Sequence, residues 1–294
     1  MLGHRRVAKL EREKIAEQGR RRRSSLLLSL FIFAAAALSL FSAPYALNAQ
    51  QTALRIAAAA DLQPVLPPVL EAFKQATGIQ AEATYQASAA LTAQIQNGAP
   101  FDVFLSADLS YPKRLIDAGV ADTAGVIGPN EFSDSSTPIT YARGTLVLWT
   151  RKDSHWPTPS LATLQDPSLH RLAIANPDRA PYGRAAVAAI TSLRLNDSLK
   201  PKLITAENIS QAAQFAETGN ADAGLISLTS AKTEHLQSIG SYFVIPANLY
   251  PPIEQGAVIV TNTKQREACH KLLDFLLSPA IQQQLAKSGL TPVK

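Results

Sequence analysis

Along most of the chain, short apolar runs alternate with longer segments of helical period. Arg55-Ile56-Ala57-Ala58 reads as a strand, followed by a helix ending near Thr77-Gly78, where glycine supplies the stop. Ile79 to Tyr85 alternates apolar and polar residues, and Leu91 to Asn97 reads as a helix closed by Gly98. Val103-Phe104-Leu105 is a buried strand, and Tyr111 to Ala118 a helix ended by Gly119. The order β-α-β-α-β-α predicts a parallel sheet with helices on its faces.

A second series follows. Thr145-Leu146-Val147-Leu148-Trp149, Leu172-Ala173-Ile174-Ala175 and Gly224-Leu225-Ile226 read as strands, and Arg184 to Leu195 and Ser210 to Thr218 as helices. Tyr250-Pro251-Pro252 precedes a further strand, Ala257-Val258-Ile259-Val260, and helices fill the C-terminal part. No repeat of fixed period is present, which argues against a solenoid. The economical architecture is two α/β lobes joined by strands that cross near Arg143-Gly144 and near Glu254-Gln255-Gly256. Lobe I then comprises 50–143 plus 256–294, and lobe II 144–255.

The first 49 residues break this pattern. Nine Lys/Arg and three Glu lead into an apolar run from Leu26 to Phe41, then small residues ending in Asn48-Ala49. This is the three-part form of a secretory signal, with cleavage expected after Ala49. The rival is an uncleaved N-terminal anchor, since the run approaches the ~20 residues that span a bilayer. Four arginines before Ser24 hint at a twin-arginine route, but the rest of that pattern is missing. The lack of a cysteine near the cleavage region argues against a lipid-anchored start.

The leader also changes how the charge reads. The whole chain has 28 Lys+Arg and 23 Asp+Glu, a formal +5. Setting the leader aside leaves 19 basic and 20 acidic residues, so the body is nearly neutral and a nucleic-acid partner loses its main support. The single Cys269, in a helical stretch, cannot form an internal disulfide and reads as a small buried hydrophobe.

Enzyme signatures are absent: there is no G-x-S-x-G elbow, no phosphate loop, no G-x-G-x-x-G turn and no H-E-x-x-H. The five histidines are scattered, with no pair at helical ligand spacing. The positive signals are strand-to-helix turns, where N–H groups converge beyond the carboxyl ends of strands. Four stand out: Ala60-Asp61-Leu62, Gln86-Ala87-Ser88-Ala89, Ala180-Pro181-Tyr182-Gly183 and Glu207-Asn208-Ile209. Ser88 can offer a hydroxyl and neighbouring N–H groups to an anion, or serve as an ordinary N-cap. In the third turn, Pro181 and Gly183 fix the bend and let another group approach the backbone. Arg179 and Arg184 flank that turn as either a clamp for a larger anion or two solvated side chains.

The stretches "AAAADL" (57–62), "SAALTAQIQNGAPFDVFLSAD" (88–108), "LAIANPDRAPYGRAA" (172–186), "AENIS" (206–210), "GNADAGLISL" (219–228) and "YPPIEQGAV" (250–258) resemble the substrate-binding proteins of molybdate ABC transporters. The resemblance runs from about Leu54 to Leu290. It implies a two-lobed type II periplasmic binding protein, each lobe a mainly parallel sheet with helices on both faces. It also implies a monomer, not an enzyme and without a cofactor, that is exported to the periplasm and carries molybdate or tungstate to a membrane permease. Matched position by position, the oxyanion contacts fall on Asp61, Ser88, Tyr182 and the backbone N–H of Ile209. Where some members have tyrosine after the strand Gly224-Leu225-Ile226, this chain has Ser227, and Tyr182 is expected to supply the phenol instead. The same fold could serve another small anion, sulfate or a carboxylate, and an exported enzyme using carboxylates is the more distant alternative.

Asp61 departs from the pattern, which has a hydroxyl there. A carboxylate ~4 Å from an anion is repelled by ~4 kcal/mol per charge pair even at an effective dielectric of 20. The expected resolution is that Asp61 turns aside to cap the following helix and leaves its N–H to the ligand. The alternative is a reader of cationic or protonated ligands.

Overall fold

The structure is a computed structural model that describes residues 53–123 and 136–293. The leader, with its expected cleavage point, lies outside the described residues. None of the helices among the described residues is long and apolar enough to cross a membrane.

The chain starts with β1 (Leu54–Ala59), α1 (Leu66–Thr77), β2 (Ala81–Gln86), α2 (Ser88–Gln96), β3 (Val103–Ser106), α3 (Ser110–Asp117), β4 (Ala121–Asp122) and β5 (Ile139–Gly144). It continues with β6 (Leu146–Arg151), β7 (Leu172–Ala175), α4 (Pro181–Ser192), α5 (Asn196–Leu199), β8 (Leu203–Ala206), α6 (Ile209–Glu217), β9 (Ala223–Ser227), α7 (Leu228–Ala231), α8 (Glu234–Ile239) and β10 (Gly240–Val244). β11 (Ile253–Val260), α9 (Arg266–Leu277), α10 (Pro279–Lys287) and β12 (Thr291–Pro292) complete it.

These strands make two sheets. The first runs β12-β5-β11-β3-β1-β2, with β4 also on β11, and the second β10-β6-β9-β7-β8. Each has a parallel core of three strands, β3-β1-β2 and β9-β7-β8. The remaining pairings, to β4, β5, β11 and β12 in the first sheet and to β6 and β10 in the second, are antiparallel. The sheets are therefore mixed, not mainly parallel: strands that pass between sheets enter without a helical crossover, and only a crossover forces parallel pairing. The chain leaves the first sheet at Gly144 and joins the second at Leu146. It returns between Val244 and Ile253, so Glu254-Gln255-Gly256 lies inside β11, where the register with β5 shifts.

The two-residue period of β1 shows how the first sheet is covered on both faces. Leu54, Ile56 and Ala58 join a core with Leu66, Val69 and Phe73 of α1 and Leu272 and Leu273 of α9. Ala57 faces the other way, into a cluster with Leu91 and Ile95 of α2 and Leu115 of α3. α1 buries Leu66, Val69, Leu70 and Phe73, the i, i+3, i+4, i+7 stripe of an amphipathic helix, and ends on Gly78 at φ 75°. Cys269 is wholly buried in the first core. Burial pushes its thiol up to about 12, which suits packing and not nucleophilic chemistry.

The second sheet has its own core around Trp149, Leu148, Ile174, Leu225 and Ile226. Ala59, Ala60 and Ala107, from the ends of β1 and β3, pack into that same cluster. The ends of the parallel strands of the first sheet thus press against the second sheet's helices, and this contact builds the site.

Candidate functional site

Four segments meet at one cavity: the 3-10 turn Ala60–Leu62 after β1, the starts of α2 and α4, and the start of α6. The cavity has a volume of only about 10 Å³ and is lined by Ala59, Ala60 and Asp61, by Gln86 to Ser88, by Ala107, by Ala180 to Tyr182, and by Asn208 and Ile209. That is smaller than the clefts of several hundred Å³ that take drug-sized ligands. No lysine or arginine is among the described residues lining it.

The walls present hydrogen-bond donors. Ser88 is the first residue of α2, whose N-cap is Ala87 with no side-chain cap bond. Its hydroxyl is free of capping duty: Oγ accepts the N–H of Ala107 at 3.2 Å and keeps its own hydrogen for a ligand. Pro181 opens α4 and Asn208 caps α6 by accepting the N–H of Gln211, so Tyr182 and Ile209 each stand in a first helical turn. Among the described residues, no hydrogen bond takes up the N–H of Ser88, Tyr182 or Ile209. These unused donors carry the positive ends of helix dipoles. Gly183, in the first turn of α4, lets that turn press against the end of β7: a Cβ there would lie 2.8 Å from the carbonyl carbon and oxygen of Asn176.

Asp61 is placed differently from its sequence expectation. It sits inside the 3-10 turn, whose N-cap is Ala59, and makes no side-chain cap. The following helix lacks a side-chain cap and carries prolines in its first turn, which removes the N–H groups a cap would serve. The carboxylate instead enters the interior. Asp61 is wholly buried and is one of the residues lining the cavity. Oδ2 accepts the Tyr182 hydroxyl at 3.1 Å and the Gln255 side-chain amide, and Oδ1 has no partner. Burial raises the Asp61 carboxyl to about 6, against the lowering effect of the Gln255, Tyr182 and backbone hydrogen bonds. The Tyr182 phenol is pushed well above its ordinary value, first by burial and then by the Asp61 charge.

Tyr182 also needs correction. Its hydroxyl is engaged by Asp61, so this side chain does not supply a phenol to the cavity in this conformation; what it offers there is its N–H. Ser227 is not among the cavity's lining residues. Its side chain is the N-cap of α7, accepting the N–H of Ser230 at 3.3 Å and sitting 2.9 Å from the hydroxyls of Thr229 and Ser230. A hydroxyl committed to a helix start has no reach left for a ligand. Neither Arg179 nor Arg184 lines the cavity. Arg179 pairs with Glu207 at 2.9 Å on the surface. Arg184 pairs with Asp108, donates to the Tyr111 hydroxyl at 3.2 Å and stands over its ring.

Sequence reading missed Gln255, Thr229 and Ala107. Gln255 is wholly buried on β11 and holds Asp61; Thr229 donates to the Asp61 carbonyl at 2.7 Å. The first of these was visible as part of "YPPIEQGAV", as a polar residue inside an apolar strand. Further bonds tie the two sheets' elements together around the cavity: Ser210 Oγ to the Ala60 carbonyl at 2.8 Å and the Ala89 N–H to the Arg179 carbonyl at 3.2 Å. The conformation is closed.

Three comparisons bear on what such a site binds. Residues 54–291 match the family model for bacterial extracellular solute-binding proteins. The molybdate-binding protein ModA of Azotobacter vinelandii is 35% identical over 241 residues, covering 82% of this chain and 90% of that protein. ModA of Rhodobacter capsulatus is 35% identical over 217 residues, 74% of this chain and 79% of that protein. The structure of the A. vinelandii periplasmic molybdate-binding protein superposes with a TM-score of 0.73 at 29% identity, covering 82% of this chain and all of the other.

Proposed function

We infer the function of this chain from its family: it belongs to the bacterial extracellular solute-binding proteins, and within them it captures molybdate and presents it to the permease of an ABC transporter. The observation that carries the ligand is the set of unused N–H groups of Ser88, Tyr182 and Ile209, with the Ser88 hydroxyl, around a small closed cavity without basic side chains. A compact tetrahedral dianion is matched by several neutral donors at helix starts and needs no formal countercharge. The identity to molybdate-binding relatives over most of the chain supports the same reading. Ser88, Tyr182 and Ile209 act as donors, Asp61 as a wall residue, and Ser227 by holding the start of α7 behind Thr229. Tungstate, of the same charge and shape, is bound as well. Sulfate and phosphate, both smaller than molybdate, are selected against by cavity size.

Closure is a hinge motion at the two passages between sheets, with lobe I as 50–143 plus 256–294 and lobe II as 144–255. The membership of β5 in the first sheet and of β6 and β10 in the second supports this division, while β11, which joins the first sheet from Ile253, moves the second boundary a few residues earlier. The protein works as an exported monomer, delivered by its N-terminal leader.

Thermal unfolding of residues 50–294 with molybdate, tungstate, sulfate and phosphate tests the ligand. Molybdate at 100 times its Kd is expected to add ~2.7 kcal/mol of stability, and sulfate and phosphate far less. Ser88→Ala is expected to weaken molybdate binding by about tenfold, the worth of one hydrogen bond of ~1 kcal/mol or slightly more, read by calorimetric titration. Equal stabilisation by all four anions, or an unchanged Ser88→Ala affinity, contradicts this assignment.

A further inference from the structure

Asp61 lines a cavity read as an oxyanion site, and the two oxygens of its buried carboxylate are not equivalent. Oδ2 is held by Tyr182 and Gln255, whereas Oδ1 is buried without a partner. An ionised Oδ1 in that position would repel a dianion and would itself lack the donor that a buried carboxylate oxygen needs. A proton on Oδ1 removes both difficulties, because it turns an unsatisfied acceptor into an O–H donor beside the ligand.

We propose that Asp61 takes part in capture as a neutral carboxylic acid, its Oδ1 proton donated to an oxygen of the bound oxyanion, so that capture by the ionised free protein takes up one proton from solvent. The proposal rests on the oxyanion reading above. No bond within the ligand changes: one solvent proton adds to the carboxylate, and the dianion enters as it stands.

The surroundings suit a neutral acid. Facing Asp61 are Tyr182 from α4 and Tyr141 from β5, both phenols held protonated by burial and by the Asp61 charge, and the uncharged Gln255 from β11. The elements packed on the 3-10 turn add no cation: α7 has no charged residue, the one charged residue of α6 is Glu217, paired with His235, and β2 carries only Glu82 and Tyr85. No cation in contact holds the carboxylate ionised; the Gln255 and Tyr182 hydrogen bonds favour the charged form, but burial outweighs them and raises the carboxyl to about 6 before a dianion arrives. A bound dianion raises it further.

Isothermal titration of the wild-type chain with molybdate, from pH 5.5 to 8.5 in buffers of different ionisation heat, reads the proton directly. Molybdate carries no proton in this range. Above the Asp61 midpoint, affinity is expected to fall tenfold per pH unit, with uptake approaching one proton per molybdate at pH 8. Asp61→Asn presents a donor that does not titrate. It is expected to bind more tightly than wild type at pH 8, with a flat profile and no proton uptake. Molybdate binding by wild type that is independent of pH, without proton uptake, overturns the proposal and leaves the oxyanion reading standing. A slope that persists in Asp61→Asn overturns it as well, and if that variant does not fold, the wild-type proton count decides alone. Binding of none of molybdate, tungstate, sulfate and phosphate by wild type removes the oxyanion reading, and this proposal with it.

Discussion

At pH 8 the ligand-free Asp61→Asn protein is expected to be more stable than the wild type, and at pH 4 that advantage is expected to vanish. The reason is the sign of the Asp61 shift. Burial raises this carboxyl from 3.8 in the unfolded chain to about 6 in the folded one. The folded state therefore binds more protons between those values, and stability falls as pH rises through that window. Well below pH 3.8 the group is neutral in both states and the burden is absent, and at pH 4 only a small part of it remains, less than the cost of the asparagine amide. Above pH 7 the folded protein carries the full burden, on the order of 3 kcal/mol for a shift of this size. Asparagine removes the charge but introduces amide hydrogens with no assigned partner, which returns about 1–2 kcal/mol. The net gain at pH 8 is therefore about 1–2 kcal/mol, measurable as a shift in urea midpoint with an unchanged slope. An equal difference at pH 4 and pH 8 would mean that Asp61 is not buried in its charged form.

Gly144→Ala is expected to cost about 1–3 kcal/mol in stability and to disturb the site at the same time. A Cβ at this position falls on the Tyr182 hydroxyl, 2.8 Å from the ring carbon that bears it and 3.1 Å from a methyl of Ile253. Tyr182 is wholly buried, so the ring has no open space to move into. Any retreat breaks the 3.1 Å bond to Asp61 Oδ2 and draws the start of α4 away from the cavity. Molybdate affinity should fall together with the urea midpoint. Tyr182→Phe in the Gly144→Ala background separates the two effects, since it removes the colliding oxygen and should recover part of the stability without restoring the Asp61 bond. A Gly144→Ala protein with wild-type stability and affinity would show that the passage between sheets has slack there.

The order of elements was largely legible in the sequence, because buried parallel strands read as short apolar runs and the covering helices as amphipathic stripes. Helix starts were not. α2 begins at Ser88 where the apolar pattern suggested Leu91, α4 at Pro181 instead of Arg184, and α6 at Ile209 instead of Ser210. In each case the first turn faces the cavity, and residues that face a ligand carry no apolar period. β5, β8 and β10 were also missed. Two of them are edge strands with partly exposed residues, and β5 carries Arg143 among its buried positions. Of the site, Ser88 and the turns at Tyr182 and Ile209 could be read from local signals. The partners of Asp61 could not, since Tyr182 and Gln255 lie 121 and 194 residues away from it. A carboxylate's choice between capping a neighbouring helix and bonding a distant tyrosine is decided by packing, which sequence spacing does not encode.

The two sheets differ in how they draw on the chain. Every strand of the second comes from one uninterrupted stretch, Leu146 to Val244, whereas the first needs both Leu54 and Pro292. In a chain that appears from its N-terminus, the stretch that forms the second sheet can collapse as soon as it is complete. β1, β2 and β3 must wait for β11 to arrive before β5 can be joined to them. A trapped intermediate with an ordered middle and exposed parallel edges is the expected slow species, and it is there that a chaperone would find apolar surface to hold.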